Sequence, residues 1–98
     1  MILDQYPTKA FGFFIEEMDD ESVIYRLGAH KAIHLNPTAA AIWKMSDGTR
    51  TVRDLIEFFK AEYPDAPTDI ASDVQDAVRM LEQQGALLLV DKAKQGSA

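Results

Sequence analysis

No cysteine occurs among the 98 residues of this chain. That excludes a disulfide framework, a thiolate zinc site and a cysteine nucleophile. Positive charge is scarce as well: ten Lys and Arg stand against sixteen Asp and Glu, a formal net charge of −6. A protein whose main affinity came from neutralising phosphates would need the opposite balance. Purely apolar runs such as Ala86–Val90 are far too short to cross a bilayer. The opening MILDQYPTKA lacks the basic stretch followed by an apolar stretch that marks a secretory leader. The expectation is a cytoplasmic protein with no membrane contact. Hydrophobic residues at 47% and charged residues at 27% are an ordinary globular balance, and the length allows a single core.

The front of the chain has the period of strands. Phe11, Phe13 and Ile15 alternate with Gly12, Phe14 and Glu16, and Asp19-Asp20-Glu21 supplies a polar turn. Val23, Tyr25 and Leu27 form the next alternating set, and Gly28-Ala29 reads as a two-residue type II′ turn. His30–Leu35 makes the third strand, with Ile33 and Leu35 on one face and His30, Ala32 and His34 on the other. From Asn36 the period turns helical. Asn36-Pro37 is a start signal, because the Asn side chain caps free amides and proline at the first helical position loses no bond. Ala39, Ile42 and Trp43 share a face, and Asp47-Gly48 ends that helix. Thr51-Val52-Arg53-Asp54 resembles a capping box, followed by a stripe of Val52, Leu55, Ile56, Phe59 and Tyr63 that Pro64 stops. A third helix starts near Thr68 or Asp69, turns Ile70, Val74, Ala77, Val78 and Leu81 inward, and closes at Gly85. Ala86–Val90 then suits a short last strand.

The fold class is therefore α+β: a three-stranded antiparallel meander followed by three helices, like a winged helix-turn-helix. One domain spans residues 11–90. Residues 1–10 and 91–98 read as flexible ends, since neither carries a period.

Chemistry is sparse. His30 and His34, four apart on a strand, would sit about 13 Å from each other, too far to share one metal ion. No serine lies in a G-x-S-x-G elbow, and the glycines form no phosphate loop. The acids fall on helix faces and turns rather than in a buried pair whose pKa values would separate. No catalytic residue, metal site or cofactor is expected. In a helix-turn-helix reader the third helix would enter the major groove. Here it carries Asp69, Asp73, Asp76 and Glu82 against Arg79 alone. Each acid would face phosphates, so the shape suits DNA and the charge does not. Asp73 and Asp76 also share a stripe with Met80 and Gln84. The helix macrodipole accounts for acids in the first turn, but Asp76 lies beyond it. Trp43, beside Ala39 and Ile42, is expected in the core.

The order and spacing of Leu35-Asn36, Thr38-Ala39-Ala40, Asp47-Gly48 and Arg50-Thr51, with Asp73-Val74, Leu81 and Gly85 further on, resemble the family of the coenzyme PQQ synthesis protein D. The resemblance spans roughly residues 22–90. It implies a non-catalytic recognition element that binds the leader of a ribosomally made precursor peptide and presents it to a maturation enzyme, often a radical SAM enzyme. In that family the leader adds as a strand to the third strand, in a groove closed by the third helix. Carried over, the strand is Lys31, Ala32, Ile33, His34 and Leu35, and the helix wall is Asp73, Asp76, Ala77, Met80 and Gln84. The acidic wall would favour a leader carrying Lys or Arg. Trp43 fits the broader family better than members dedicated to PQQ biosynthesis. Ala86–Val90 is a competitor for the same sheet edge. The alternative function is a DNA-binding winged helix-turn-helix regulator, and a third is a scaffolding subunit that never touches substrate.

Overall fold

The computed structural model describes residues 2–19, 21–66 and 69–93. A 3-10 turn at Ile2–Asp4 leads into β1 (Tyr6–Lys9). There follow β2 (Phe13–Met18), β3 (Glu21–Arg26), β4 (Ala32–Leu35), α1 (Pro37–Met45), α2 (Val52–Glu62), α3 (Ile70–Gln83) and β5 (Leu87–Val90). The meander is present as β2-β3-β4, all antiparallel, and β1 pairs with β5 in a second, two-stranded sheet.

Helix boundaries follow local chemistry. The Asn36 carboxamide oxygen accepts from the Ala39 amide at 2.7 Å, with Pro37 opening α1. Thr51 and Asp54 exchange side-chain and backbone bonds, each of 3.0 Å, in a reciprocal capping box on α2. Asp69 caps α3 through the Ser72 amide, while the other expected start, Thr68, lies outside the described residues. Gly85, at φ +79°, ends α3 in the left-handed region that favours glycine. Between α1 and α2, Asp47 accepts from the hydroxyl and the amide of Thr49. The Thr49 hydroxyl is the larger influence holding the Asp47 carboxyl below its ordinary pKa, and the nearby Arg50 charge adds to it.

The inner face of the meander packs on the helices. Ile15, Ile24 and Ile33 stand opposite one another across the three strands. Ile24 and Leu35 join Ile42, Trp43, Leu55, Phe59, Val74, Val78 and Leu81 in one buried cluster. α3 packs against both α1 and α2. Among the described residues, no helix is long and apolar enough to cross a membrane.

Four expectations are corrected. Residues 1–10, read as a flexible end, carry the 3-10 turn and β1. Val52 N–H donates to Gln5 O, Gly48 N–H to Pro7 O, Lys9 N–H to Ser46 O and Ala10 N–H to Ala86 O, all within 2.9–3.1 Å. These bonds join the segment to the α1–α2 loop and to β5, partners far along the chain that no local pattern reveals. Second, the alternating set Val23, Tyr25, Leu27 is broken: Val23 and its neighbour Ile24 are both buried, while Leu27 lies beyond the end of β3 and is 71% exposed, and Phe11, outside the strands, is 95% exposed. Third, the β3–β4 connection is five residues long rather than two. Ala29 N–H donates to Arg26 O, placing Gly28, at φ +84°, third in the turn, as in type II rather than II′. His30 thereby leaves the strand. Fourth, Tyr63 is exposed, because α2 ends at Glu62 and its cap turns away. The expected tail at 91–98 lies outside the described residues from position 94 onward.

Candidate functional site

β4 forms a ladder with β3 on one side, and among the described residues no strand lies along the other. β5, the competitor for that edge, is taken up by β1 through the register Tyr6↔Val90 to Lys9↔Leu87. Backbone groups on alternate residues of an edge strand point out of the sheet and are open to a further strand.

α3 lies beside this edge. At the start of β4, Gln84 shares a cleft of about 190 Å³ with Phe13, Arg26, Ala29, Lys31 and Ile33. At the end of β4, Asp73, Asp76, Ala77 and Met80 share about 400 Å³ with Asn36, Thr38 and Ala39. A further hollow of about 160 Å³ continues past Thr38 and Asp73 to Phe59, Tyr63 and Ile70. β4 and α3 therefore run in opposite directions along one groove. Apolar residues line both parts, Ile33 in the first cleft and Ala77 and Met80 in the second. Each carries charge of one sign, Arg26 and Lys31 in the first and Asp73 and Asp76 in the second. Arg26 is held at the first end by its guanidinium, which lies 5.1 Å from the Phe13 ring centre and donates to Phe11 O at 3.4 Å.

Of the residues picked out in the sequence, Lys31, Ile33, Asp73, Asp76, Ala77, Met80 and Gln84 line this groove. The others do not. The Ala32 and His34 side chains alternate to the outer face of the sheet, where His34 Nδ1 lies 2.8 Å from Glu21 Oε1. Leu35 is buried and turns toward Ala40 and Ala41. All three border the open edge through their backbones alone. Lys31 precedes the strand instead of lying in it. The sequence reading missed Phe13, Arg26, Ala29, Asn36, Thr38 and Ala39. For Asn36–Ala39 a signal existed: a helix that starts one residue after an edge strand must place its first turn at that strand's end. For Arg26 there was none, since its position beside Lys31 depends on the length of the intervening loop.

The arrangement offers outward backbone hydrogen bonds, apolar lining and two charged ends. Fold and groove together define a small winged helix-turn-helix-like domain that presents an open sheet edge beside a helix. The chain belongs to the coenzyme PQQ synthesis protein D (PqqD) family, whose model matches residues 21–87, more than half of it. That match starts at β3 and ends in β5, so β1 and β2 lie outside it. The fold is similar to that of a solved structure described as TbiB1 in complex with the TbiA(beta) leader peptide. The TM-score is 0.64 and the identity 19%, over 82% of this chain and 93% of that one. No curated protein sequence matches this chain.

Proposed function

We propose that the protein is a non-catalytic, peptide-binding adaptor: a recognition element that takes up the leader of a ribosomally made precursor peptide and presents it to a maturation enzyme of the radical SAM class. The observation that carries this reading is the open edge of β4 beside the α3 groove. Membership of the PqqD family and the likeness to a leader-bound fold support it. The leader would pair with the backbone of Lys31–Leu35 and set alternate side chains against Asp73, Asp76, Ala77, Met80 and Gln84.

A guest paired along five residues forms about 4–5 backbone hydrogen bonds, each contributing ~0.5–1.5 kcal/mol net. Ordering a disordered peptide costs about 2–5 kcal/mol, which offsets most of that. Backbone pairing therefore holds the guest in register, and the groove side chains supply the selectivity.

Titration of the isotope-labelled protein with the leader of the precursor encoded beside it tests the reading. Amide shifts should concentrate on Lys31–Leu35 and on Asp73–Gln84, with new exchange protection on alternate β4 amides. Shifts spread elsewhere, or none, would reject it.

DNA supplies the opposing test. With net −6 on the chain and four acids against one Arg along residues 69–84, duplex DNA at low salt should give no saturable binding. Saturable binding that weakens steeply with added salt would favour the regulator instead.

A further inference from the structure

The two ends of the groove carry opposite charge. At the start of β4, Lys31 and Arg26 flank Ile33 and Gln84. At its end, Asp76 and Asp73 flank Met80 and Asn36. The two cations meet in one cleft: Arg26 ends β3, two residues beyond Ile24, and Lys31 lies in the loop just before β4. Gln84, which caps the end of α3, lines the same cleft. The lengths also agree. From Gln84 back to Asp76 the helix rises about 12 Å, at ~1.5 Å per residue. Four steps of an extended guest cover about 13–14 Å, at ~3.4 Å each. A guest strand that reaches one charged end with residue i thus reaches the other with residue i+4, and its residue i+2 lies over Ile33, Ala77 and Met80.

Resting on the adaptor reading above, we infer that this protein selects a leader segment of ordered charge: a basic residue, an apolar residue and an acidic residue at alternate positions, in that order from N to C. The order follows from the direction of pairing. Antiparallel ladders are the more stable per residue, and all the strand pairing among the described residues is antiparallel. An antiparallel guest enters at the end of β4, placing its first inward side chain by Asp76 and its third by Lys31 and Arg26. The reverse sequence sets like charge against like at both ends. The groove thereby reads the direction of a peptide as well as its composition, by attraction at two points and repulsion in the wrong order.

Three synthetic peptides test this on the full chain: Lys-Thr-Leu-Thr-Glu within neutral flanks, the same flanks around Glu-Thr-Leu-Thr-Lys, and a control with Gln at both charged positions. Fluorescence anisotropy at low salt should show the base-first peptide binding about tenfold more tightly than the acid-first one, each end contributing a few-fold, with the control between them. The gap should narrow as salt is raised, because the charged ends are solvent-exposed. The double variant Lys31→Glu with Asp76→Lys should prefer the acid-first peptide, while its circular dichroism matches the parent. Equal binding of both orders would overturn the charge-order inference and leave strand addition standing. Tighter binding of the acid-first peptide by the parent would overturn the stated order. If none of the three binds, while the native leader shifts amides elsewhere on the protein, both the inference and the groove assignment fall together.

Discussion

Ala32→Pro is expected to weaken leader binding by roughly thirtyfold or more while the helical circular dichroism and the melting temperature stay close to the parent's. Ala32 is exposed and opens β4, a place where proline is tolerated in a strand. The substitution removes a backbone donor and places a ring in the path of an adjacent chain. A lost hydrogen bond and a displaced guest together cost about 2 kcal/mol of binding, hence the fold-change. Amides alternate along a strand, so Ile33→Pro attacks the opposite side of β4 and serves as the companion variant. Isothermal titration with the leader decides the matter: a folded Ala32→Pro protein that binds as well as the parent would remove β4 from the docking surface.

The largest loss of stability is expected from Trp43→Ala. Trp43 is only 4% exposed, and its indole Nε1–H donates to Ala86 O at 3.3 Å in the interior. The Lys9 ammonium lies 5.4 Å from its ring centre. One side chain thus joins α1, the start of β5 and the end of β1. Truncating a buried aromatic to alanine costs about 3–5 kcal/mol, against a total of roughly 5–15 kcal/mol for a domain of this size. Urea unfolding should show that loss as a much lower midpoint and an unfolded fraction without denaturant. Trp43→Phe keeps most of the volume and removes one of two donors to Ala86 O, which retains the Ala10 amide, so it should cost only about 0.5–1.5 kcal/mol for the lost hydrogen bond. If Trp43→Ala cost less than Trp43→Phe, the indole would not be the organising contact described.

The parts of this protein legible in its sequence are those whose cause lies within one turn or one strand. Asn36-Pro37, the Thr51–Asp54 box, the Asp69 cap and Gly85 each act on amides or carbonyls a few residues away, and the three helices begin, and α3 ends, where those residues place them. The helical stripes Leu55-Ile56-Phe59 and Val74-Val78-Leu81 marked core positions for the same reason, since an apolar stripe at a 3.6-residue period gathers on one face of a helix. The family resemblance was legible too, because its motif falls on these local features. On β3, however, period 2 left open which face turns inward: Val23 and Ile24 are both buried, and it is Ile24 that joins the main cluster. A short strand alternates equally well in both registers until the helices cover one side.

What only the tertiary structure decided is which strand edges are covered. β1 has four residues, one of them proline, and no periodic signal of its own; it exists because β5, about eighty residues later, supplies its ladder. That pairing also removes β5 from competition for β4 and leaves the β4 edge open. The charge order of the groove has the same origin. Arg26, Lys31 and Gln84 meet at one end, and Asn36, Asp73 and Asp76 at the other, because β4 and α3 run in opposite directions. Caps and stripes are bonds between near neighbours and are written in short stretches of residues. A free edge and a charged groove are relations among distant ones, set only when the chain has closed on itself.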